Sequence, residues 1–135
     1  MPKFNAADFF GQNYEFYGDG GEGVDDRILS MNLTNFKDEA NGGEIENGLG
    51  FDTTSVIYSG NLDEYAAKIF YAQLLLLMQK QGERKDTDPE QQIYIAPNSP
   101  RIVTSGNRKG QLERSYTVSF FSDGNYGDVA DIDNI

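Results

Sequence analysis

Cysteine and histidine are both absent from this sequence of 135 residues. Without cysteine the chain has no disulfide bond, no thiolate nucleophile and no cysteine-ligated zinc site. Without histidine it lacks the commonest general base and the commonest metal ligand. Ser–His–Asp and Cys–His catalysis are therefore excluded. We expect a protein that is not an enzyme and that uses no cofactor.

Long apolar segments are also missing. The longest uncharged apolar run, residues 69–78, is too short to span a bilayer, and the first ten residues lack the apolar core of a signal peptide. We expect no membrane contact and synthesis in the cytoplasm of the producing cell.

Acidic residues outnumber basic ones by 22 to 11, and they are unevenly placed. Residues 1–60 hold 11 acids and 3 bases, and residues 123–135 hold 4 acids and no base. Residues 80–122 hold 7 bases and 5 acids. This asymmetry favours acidic ends that dock on the basic segment, within one molecule or between copies. The alternative is that the acidic ends only keep the domain soluble.

A small basic cluster is the only candidate for phosphate contact. It consists of Arg101, Arg108, Lys109 and Arg114, around the sequence GNRKG. Nucleic-acid binding needs a broader basic footprint, so direct nucleic-acid contact is not expected. Charged residues on an exposed hairpin commonly protect a sheet edge. We retain Arg108, Lys109 and Arg114 as candidate interface residues.

The clearest element is a helix between Asn61 and Gly82. Asn61 and Glu64 have the spacing of a capping box, and Gly82 suits a left-handed helix end. Apolar residues form two stripes on this helix. One stripe is Leu62, Tyr65, Ala66, Ile69, Phe70, Leu76 and Leu77; the other is Ala67, Tyr71, Leu74, Leu75 and Met78. A helix with two apolar faces must be covered on two sides, so Leu74, Leu75 and Met78 are candidate interface residues.

Aromatic residues are concentrated before the first glycine-rich stretch, GDGGEG. They are Phe4, Phe9, Phe10, Tyr14, Phe16 and Tyr17. A short helix over residues 5–10 fits the sequence, but residues 1–24 as a whole are predicted to be an extended arm. Aromatic side chains are frequent anchors of interfaces, and we predict that these six bury against a partner. The alternative is that they pack on the core of their own chain.

The remaining segments predict short strands and one long exposed loop, residues 35–50. The predicted strands are residues 27–34, 52–59, 92–96, 101–105 and 111–121, the last two joined as a hairpin. The fold class is therefore α+β, a mostly antiparallel sheet with one long helix packed on a face. Residues 25–122 form the predicted domain, and residues 123–135 form an acidic tail.

Carboxylates occur in groups that raise the question of a cation site. Residues 19–26 and 123–133 are acidic and glycine-rich and could hold a hard cation, but the second stretch lacks the residue order of a calcium loop. Asp63 and Glu64 lie in the first helical turn, where the helix dipole stabilises negative charge. Their role at the helix start is therefore a sufficient explanation for both carboxylates. Lys68 is the lone charge in the apolar part of the helix. It either extends along the helix to solvent or marks where an acidic segment of another copy binds.

In its general character the chain resembles small structural proteins of tailed bacteriophage particles. The shared features are the absence of histidine and cysteine, the acidity, the abundance of asparagine, glycine and tyrosine, and an α+β body between extended ends. Capsid-associated, head–tail connecting and tail-completing proteins all fit. The resemblance implies a homo-oligomeric ring or lattice, contacts with other virion proteins and location in the virion.

The leading hypothesis is therefore a non-enzymatic structural or assembly subunit of a phage particle. A second hypothesis is a small acidic inhibitor or adaptor that occupies a basic groove of a cellular partner. A third is an enzyme that uses carboxylates and a bound metal.

Overall fold

A computed structural model describes residues 4–18, 27–82 and 92–121. The chain divides into two compact units. One is Phe4–Gly82, and the described part of the other is residues 92–121. The predicted single domain over residues 25–122 is therefore divided at Gly82, and its first unit begins earlier than predicted. The predicted tail, residues 123–135, lies outside the described residues.

The Phe4–Gly82 unit contains two helices and a pair of strands. Helix α1 is Ala6–Phe10, strands β1 and β2 are Glu15–Tyr17 and Ile28–Ser30, and helix α2 is Leu62–Gln81. Strands β1 and β2 are antiparallel. Two short 3₁₀ turns, Leu33–Phe36 and Glu39–Asn41, follow β2.

In residues 92–121 the described structure contains two antiparallel strand pairs and a 3₁₀ turn, Gly106–Arg108. Strand β3 (Ile93–Pro97) pairs with β6 (Tyr116–Phe120), and β4 (Arg101–Ile102) pairs with β5 (Leu112–Glu113). The α+β prediction is confirmed: the described ranges hold one long helix and small antiparallel sheets.

The predicted limits of the long helix agree with the structure, but its predicted N-terminal cap is wrong. Gly82 ends α2 with a φ of +57°, and its N–H donates to the carbonyl of Met78. The side chain of Asn61 makes no capping hydrogen bond to the first turn. It instead accepts from the N–H of Tyr58 and donates to the carbonyl of Val56, which fixes the preceding turn. Local side-chain bonds of this kind compete with capping.

The core of the Phe4–Gly82 unit corrects the prediction that residues 35–50 form an exposed loop. Phe36 and Ile45, from that segment, are buried against Ala72 and Leu76 of α2. Met31, Leu33 and Phe51 pack around this cluster. Half of the core cluster therefore comes from a segment without regular strands or α-helix.

Backbone hydrogen bonds explain how this glycine-rich segment packs. The N–H of Asp38 donates to the carbonyl of Phe51 at 2.8 Å. The N–H of Glu39 donates to the carbonyl of Ile45 at 2.8 Å. The carboxylate of Asp38 accepts from the N–H groups of Ala40 and Gly48. These four N–H groups thereby gain partners that a sheet would normally supply.

Three of the predicted strands are shorter than expected or absent. The one predicted over residues 101–105 ends at Ile102. Residues 52–59 form turns, because the hydroxyl of Thr53 accepts from the N–H of Ser55 and draws the backbone away from an extended path. The strand predicted over residues 27–34 ends at Ser30, since the side chain of Asn32 accepts from the N–H of Thr34 and starts a 3₁₀ turn.

The strand predicted over residues 111–121 is interrupted after Glu113. Its first part pairs within the predicted hairpin, whereas its second part, β6, pairs with β3. The predicted strand over residues 92–96 agrees with β3, in which Ile93 and Ile95 are buried.

The described part of the predicted arm, residues 4–18, is folded and not extended. Asn5 and Asp8 form a reciprocal capping box at the start of α1. The side-chain amide of Gln73 on α2 donates to the carbonyl of Phe9, which ties α1 to the long helix. The short helix considered for residues 5–10 is therefore present, whereas the prediction of an extended arm is wrong for residues 4–18.

Candidate protein-interaction surfaces

The six predicted aromatic anchors separate into two groups. Four of them form a series of ring contacts, with centroid distances of 5.6 Å for Phe4–Phe9, 6.1 Å for Phe9–Phe10 and 6.0 Å for Phe10–Tyr14. Phe4 is buried, Phe9 and Phe10 are half-buried, and Tyr14 lies at the surface. The structure thus places Phe4, Phe9 and Phe10 in packing within their own chain, which was the alternative interpretation.

Phe16 and Tyr17 belong to the second group and lie on the β1–β2 hairpin. Phe16 is directly opposite Leu29, and Tyr17 is directly opposite Ile28. Successive residues of a strand point to opposite faces, so each face of the hairpin carries one aromatic and one aliphatic side chain. The exposed fractions are 53% for Phe16, 51% for Tyr17, 54% for Ile28 and 43% for Leu29. We call these four residues the apolar hairpin.

The apolar hairpin is unusual because neither of its faces is buried. A two-stranded hairpin alone is marginally stable in water, and its apolar side chains normally pack on another layer. Ile28 and Leu29 were not among the candidate interface residues. They lie in the strand predicted over residues 27–34, and only the cross-strand register reveals the pairing of Leu29 with Phe16.

A second apolar surface lies on α2. Residues 49–51 face the helix across an open groove of about 380 Å³. We call it the helix groove; it is lined by Leu49, Gly50, Phe51, Ala67, Lys68, Tyr71, Ala72 and Leu75. It follows the second predicted stripe, which is therefore only partly covered by its own chain.

The groove continues towards the end of the helix. An adjacent depression of about 350 Å³ is lined by residues that include Leu49, Leu75 and Met78. Of the three helix residues predicted to face a partner, Leu75 and Met78 thus border these depressions, whereas Leu74 is half-buried and borders neither. Leu49 is 62% exposed and was not a candidate, because its glycine neighbours indicated a solvated loop.

The charge of the helix groove comes from Lys68. No carboxylate lines this groove. The Lys68 ammonium lies 5.1 Å from the centroid of the Tyr65 ring, in a cation–π contact. Within the described ranges Lys68 forms no ion pair, so its charge remains available to an anionic group.

The predicted basic residues lie in the other unit. Arg108, Lys109 and Arg114 are exposed at the β4–β5 hairpin and its loop. The Arg101 guanidinium donates two hydrogen bonds to Glu113, at 2.7 and 3.3 Å. These bonds lower the pKa of Glu113 and raise the pKa of Arg101, with the direct Coulomb attraction as the second cause.

Neither a metal site nor a membrane helix is found in the described ranges. No group of three or more candidate ligand side chains is gathered there. No helix in those ranges is long and apolar enough to cross a membrane. Asp63 and Glu64 are exposed in the first turn of α2. The acidic stretches at residues 19–26 and 123–133 lie outside the described residues.

The geometry therefore offers two apolar surfaces in one unit and a basic hairpin in the other. Comparisons with protein-family models, with curated proteins and with solved structures found no match.

Proposed function

We propose that this chain is a non-enzymatic assembly subunit that forms homo-oligomers, in a ring or lattice of the kind found in phage particles. The observation that supports the proposal is the apolar hairpin, which exposes four large side chains on two faces. Exposed apolar side chains that lie together on one face, as Phe16 and Leu29 do, are typical of protein–protein contacts. Aromatic residues at its centre are suited to anchor such a contact.

The exposed apolar area of the hairpin limits how strong a contact it can form. The exposed parts of Phe16 and Tyr17 amount to roughly 100 Å² each, because an aromatic side chain buries about 150–250 Å² in total. The two rings lie on opposite faces, so a contact with one face buries one of them, which at about 25 cal/mol per Å² stabilises the contact by about 2.5 kcal/mol. Association itself costs about 4–15 kcal/mol. The hairpin alone is thus too small for a tight pair and requires a complementary apolar surface.

Light scattering coupled to size-exclusion chromatography tests the proposal over a series of protein concentrations. We expect a mass above that of one chain, and we expect the double variant Phe16→Ser/Leu29→Ser to lower it towards the monomer. Phe70→Ser is the matched control, because Phe70 is 70% exposed on α2 and lies outside both surfaces. A wild-type protein that stays monomeric at every concentration would refute the proposal.

The phage context depends on the resemblance in composition and segment order. Genes for virion proteins lie together, so the genes beside this one test that part separately. Neighbours that encode capsid, connector or tail proteins would support it. A setting among unrelated genes would count against the phage particle but not against self-assembly.

A second candidate function is a small acidic adaptor or inhibitor. The described residues of the Phe4–Gly82 unit include nine acids and four bases, a net charge of −5. Such a surface suits a basic groove on another protein. Binding to a basic partner would weaken strongly with added salt, whereas an oligomer joined by the apolar hairpin would persist.

A further inference from the structure

We infer that the helix groove of one copy packs against the same surface of a second copy about a two-fold axis. This inference rests on the proposed self-assembly and specifies one contact of the oligomer. The surface consists of the helix groove and the adjacent depression, and the residues that line them belong to the Phe4–Gly82 unit. We call it the groove face.

The groove face has a protruding side chain beside its two depressions. Leu49 and Leu75 line both depressions, so they lie along the border between them. Leu49 is 62% exposed, whereas Ala67 and Ala72 of the groove wall have small side chains that leave space above them. A protrusion next to a depression on one surface suits an isologous contact, in which each copy gives and receives the same side chain.

Opposite charges lie at the two ends of the groove face. Lys68 lines the helix groove, and Glu46 lines the adjacent depression. Both residues are exposed, and within the described ranges neither side chain forms an ion pair. The N–H of Glu46 donates to the side chain of Gln79, so Lys68 and Glu46 are roughly 16 Å apart along the helix axis. At that separation they do not pair within one copy.

A two-fold axis between these ends brings each charge onto its opposite. The axis reverses the direction of the helix, so Lys68 of one copy lies over Glu46 of the other, and the same pair forms a second time. The midpoint between the charges lies within one helical turn of Leu75, and Leu49 and Leu75 are enclosed between the two ion pairs. A parallel arrangement would place like charges together, which opposes binding. Charge therefore favours a second copy in the antiparallel orientation.

The size of the groove face predicts how the contact behaves. Each depression is lined by eight of the described residues, and two of these are shared. A standard interface has about 20–30 residues on each side. We therefore expect a weak dimer that forms at high protein concentration. A two-fold contact joins two copies and then stops, so growth into a ring or lattice needs the apolar hairpin as a second contact.

Charge exchange between copies tests the inference in a background without the hairpin contact, Phe16→Ser/Leu29→Ser. We expect sedimentation equilibrium to show a dimer of this background protein at high concentration. Adding Lys68→Glu alone or Glu46→Lys alone places like charges together and should weaken the dimer at least about tenfold. An equal mixture of these two variants restores both ion pairs, so we expect a one-to-one heterodimer about as strong as the background dimer.

Glu39→Lys is the matched control in the same background. Glu39 is exposed and lines neither depression, and its replacement changes the net charge as much as Glu46→Lys does. Glu39→Lys alone should leave the dimer intact. Its mixture with Lys68→Glu should form the heterodimer more weakly than the mixture of Lys68→Glu with Glu46→Lys, because one pair of like charges remains.

Zero-length cross-linking examines the same contact in the wild-type chain. A carbodiimide joins an ammonium to a carboxylate only where the two groups touch. In an equal mixture of ¹⁵N-labelled and unlabelled protein, we expect the peptide that contains Lys68 to be linked to the peptide that contains Glu46, with labelled and unlabelled partners joined.

The outcomes separate this contact from the proposed function. A wild type that is monomeric at every concentration refutes both. An oligomeric wild type whose hairpin-defective background shows no dimer, or whose charge variants do not recover on mixing, overturns the groove contact and leaves self-assembly standing. A link between Lys68 and Glu46 that joins only peptides of the same label also overturns it, because the two charges then meet within one copy.

Discussion

The side-chain amide of Gln79 hydrogen-bonds the backbone on both sides of Ile45. Its Nε2 donates to the carbonyl of Glu44 at 2.8 Å, and its Oε1 accepts from the N–H of Glu46 at 2.9 Å. Ile45 between them is fully buried in the core. A helix side chain thus holds this irregular segment as a neighbouring strand would. The nearby carboxylate of Glu44 adds contacts to the N–H of Gln12 and to Lys80.

Replacing Gln79 by alanine should destabilise the Phe4–Gly82 unit. Two backbone groups lose their partners, and we expect the free energy of unfolding to fall by about 1–3 kcal/mol. Denaturant titration measures this, and hydrogen exchange should show faster exchange at the Glu46 amide. Gln12→Ala is the control, because the side chain of Gln12 is exposed. Equal stability of the two variants would contradict the assigned role of Gln79.

Gly50 and Gly48 should respond differently to alanine. A Cβ at Gly50 would overlap the backbone of Lys37 and Asp38. Gly48 has open space around it, but its φ of +73° is unfavourable for alanine. We expect Gly48→Ala to cost about 1–2 kcal/mol and Gly50→Ala to cost more than about 3 kcal/mol, because the core segment must move. Thermal and denaturant unfolding of both variants would check the order, and a reversed order would argue against the close approach.

Alanine substitutions at Leu76 and Leu49 should distinguish an effect on folding stability from an effect on oligomer formation. Leu76→Ala removes a fully buried side chain and should lower the free energy of unfolding by about 2–5 kcal/mol. Leu49 is largely exposed, so Leu49→Ala should change stability by less than about 0.5 kcal/mol. The same Leu49 variant should weaken oligomer formation, because Leu49 lines the helix groove. Unfolding and light-scattering measurements on one preparation compare the two effects. An unstable Leu49 variant would mean that this residue supports the fold.

Titration of Glu113 should report its pairing with Arg101. The paired guanidinium holds the pKa of Glu113 below its ordinary value of 4.5. A carboxyl with a lowered folded-state pKa stabilises the fold above its unfolded-state pKa, and that contribution is lost as pH falls through the folded-state pKa. NMR titration should therefore place the midpoint below 4.5, and Arg101→Gln should raise it. Arg114→Gln should leave it nearly unchanged. Because the pair is exposed, added salt should reduce the shift.

Sequence patterns predicted the elements whose signals are local. The apolar run and Gly82 defined the limits of α2, and alternating isoleucines marked β3. The glycines around GNRKG indicated the β4–β5 hairpin. A short helix over residues 5–10 fitted the sequence, and the structure adds the capping box of Asn5 and Asp8 that starts it.

The core and the candidate surfaces could not be predicted in this way, because they depend on distant partners. Glycine, asparagine and acids in residues 35–50 indicated exposure, yet Gly50 allows backbone contact and Asp38 satisfies two turn amides. In the sequence, Gln73 and Gln79 look like ordinary polar helix residues. Only their hydrogen bonds to the backbone of other segments show that they hold those segments to the helix. The opposition of Phe16 and Leu29 depends on strand register across a connection of ten residues or more, which composition does not encode.

The end of α2 at Gly82 coincides with the end of the unit that holds both apolar surfaces. A polymer linked by those surfaces would have a backbone made only of repeated copies of residues 4–82. Every copy would then carry the second unit as one further module. Self-association would thus be encoded in one half of the gene, and the other half would be free to change without disturbing it.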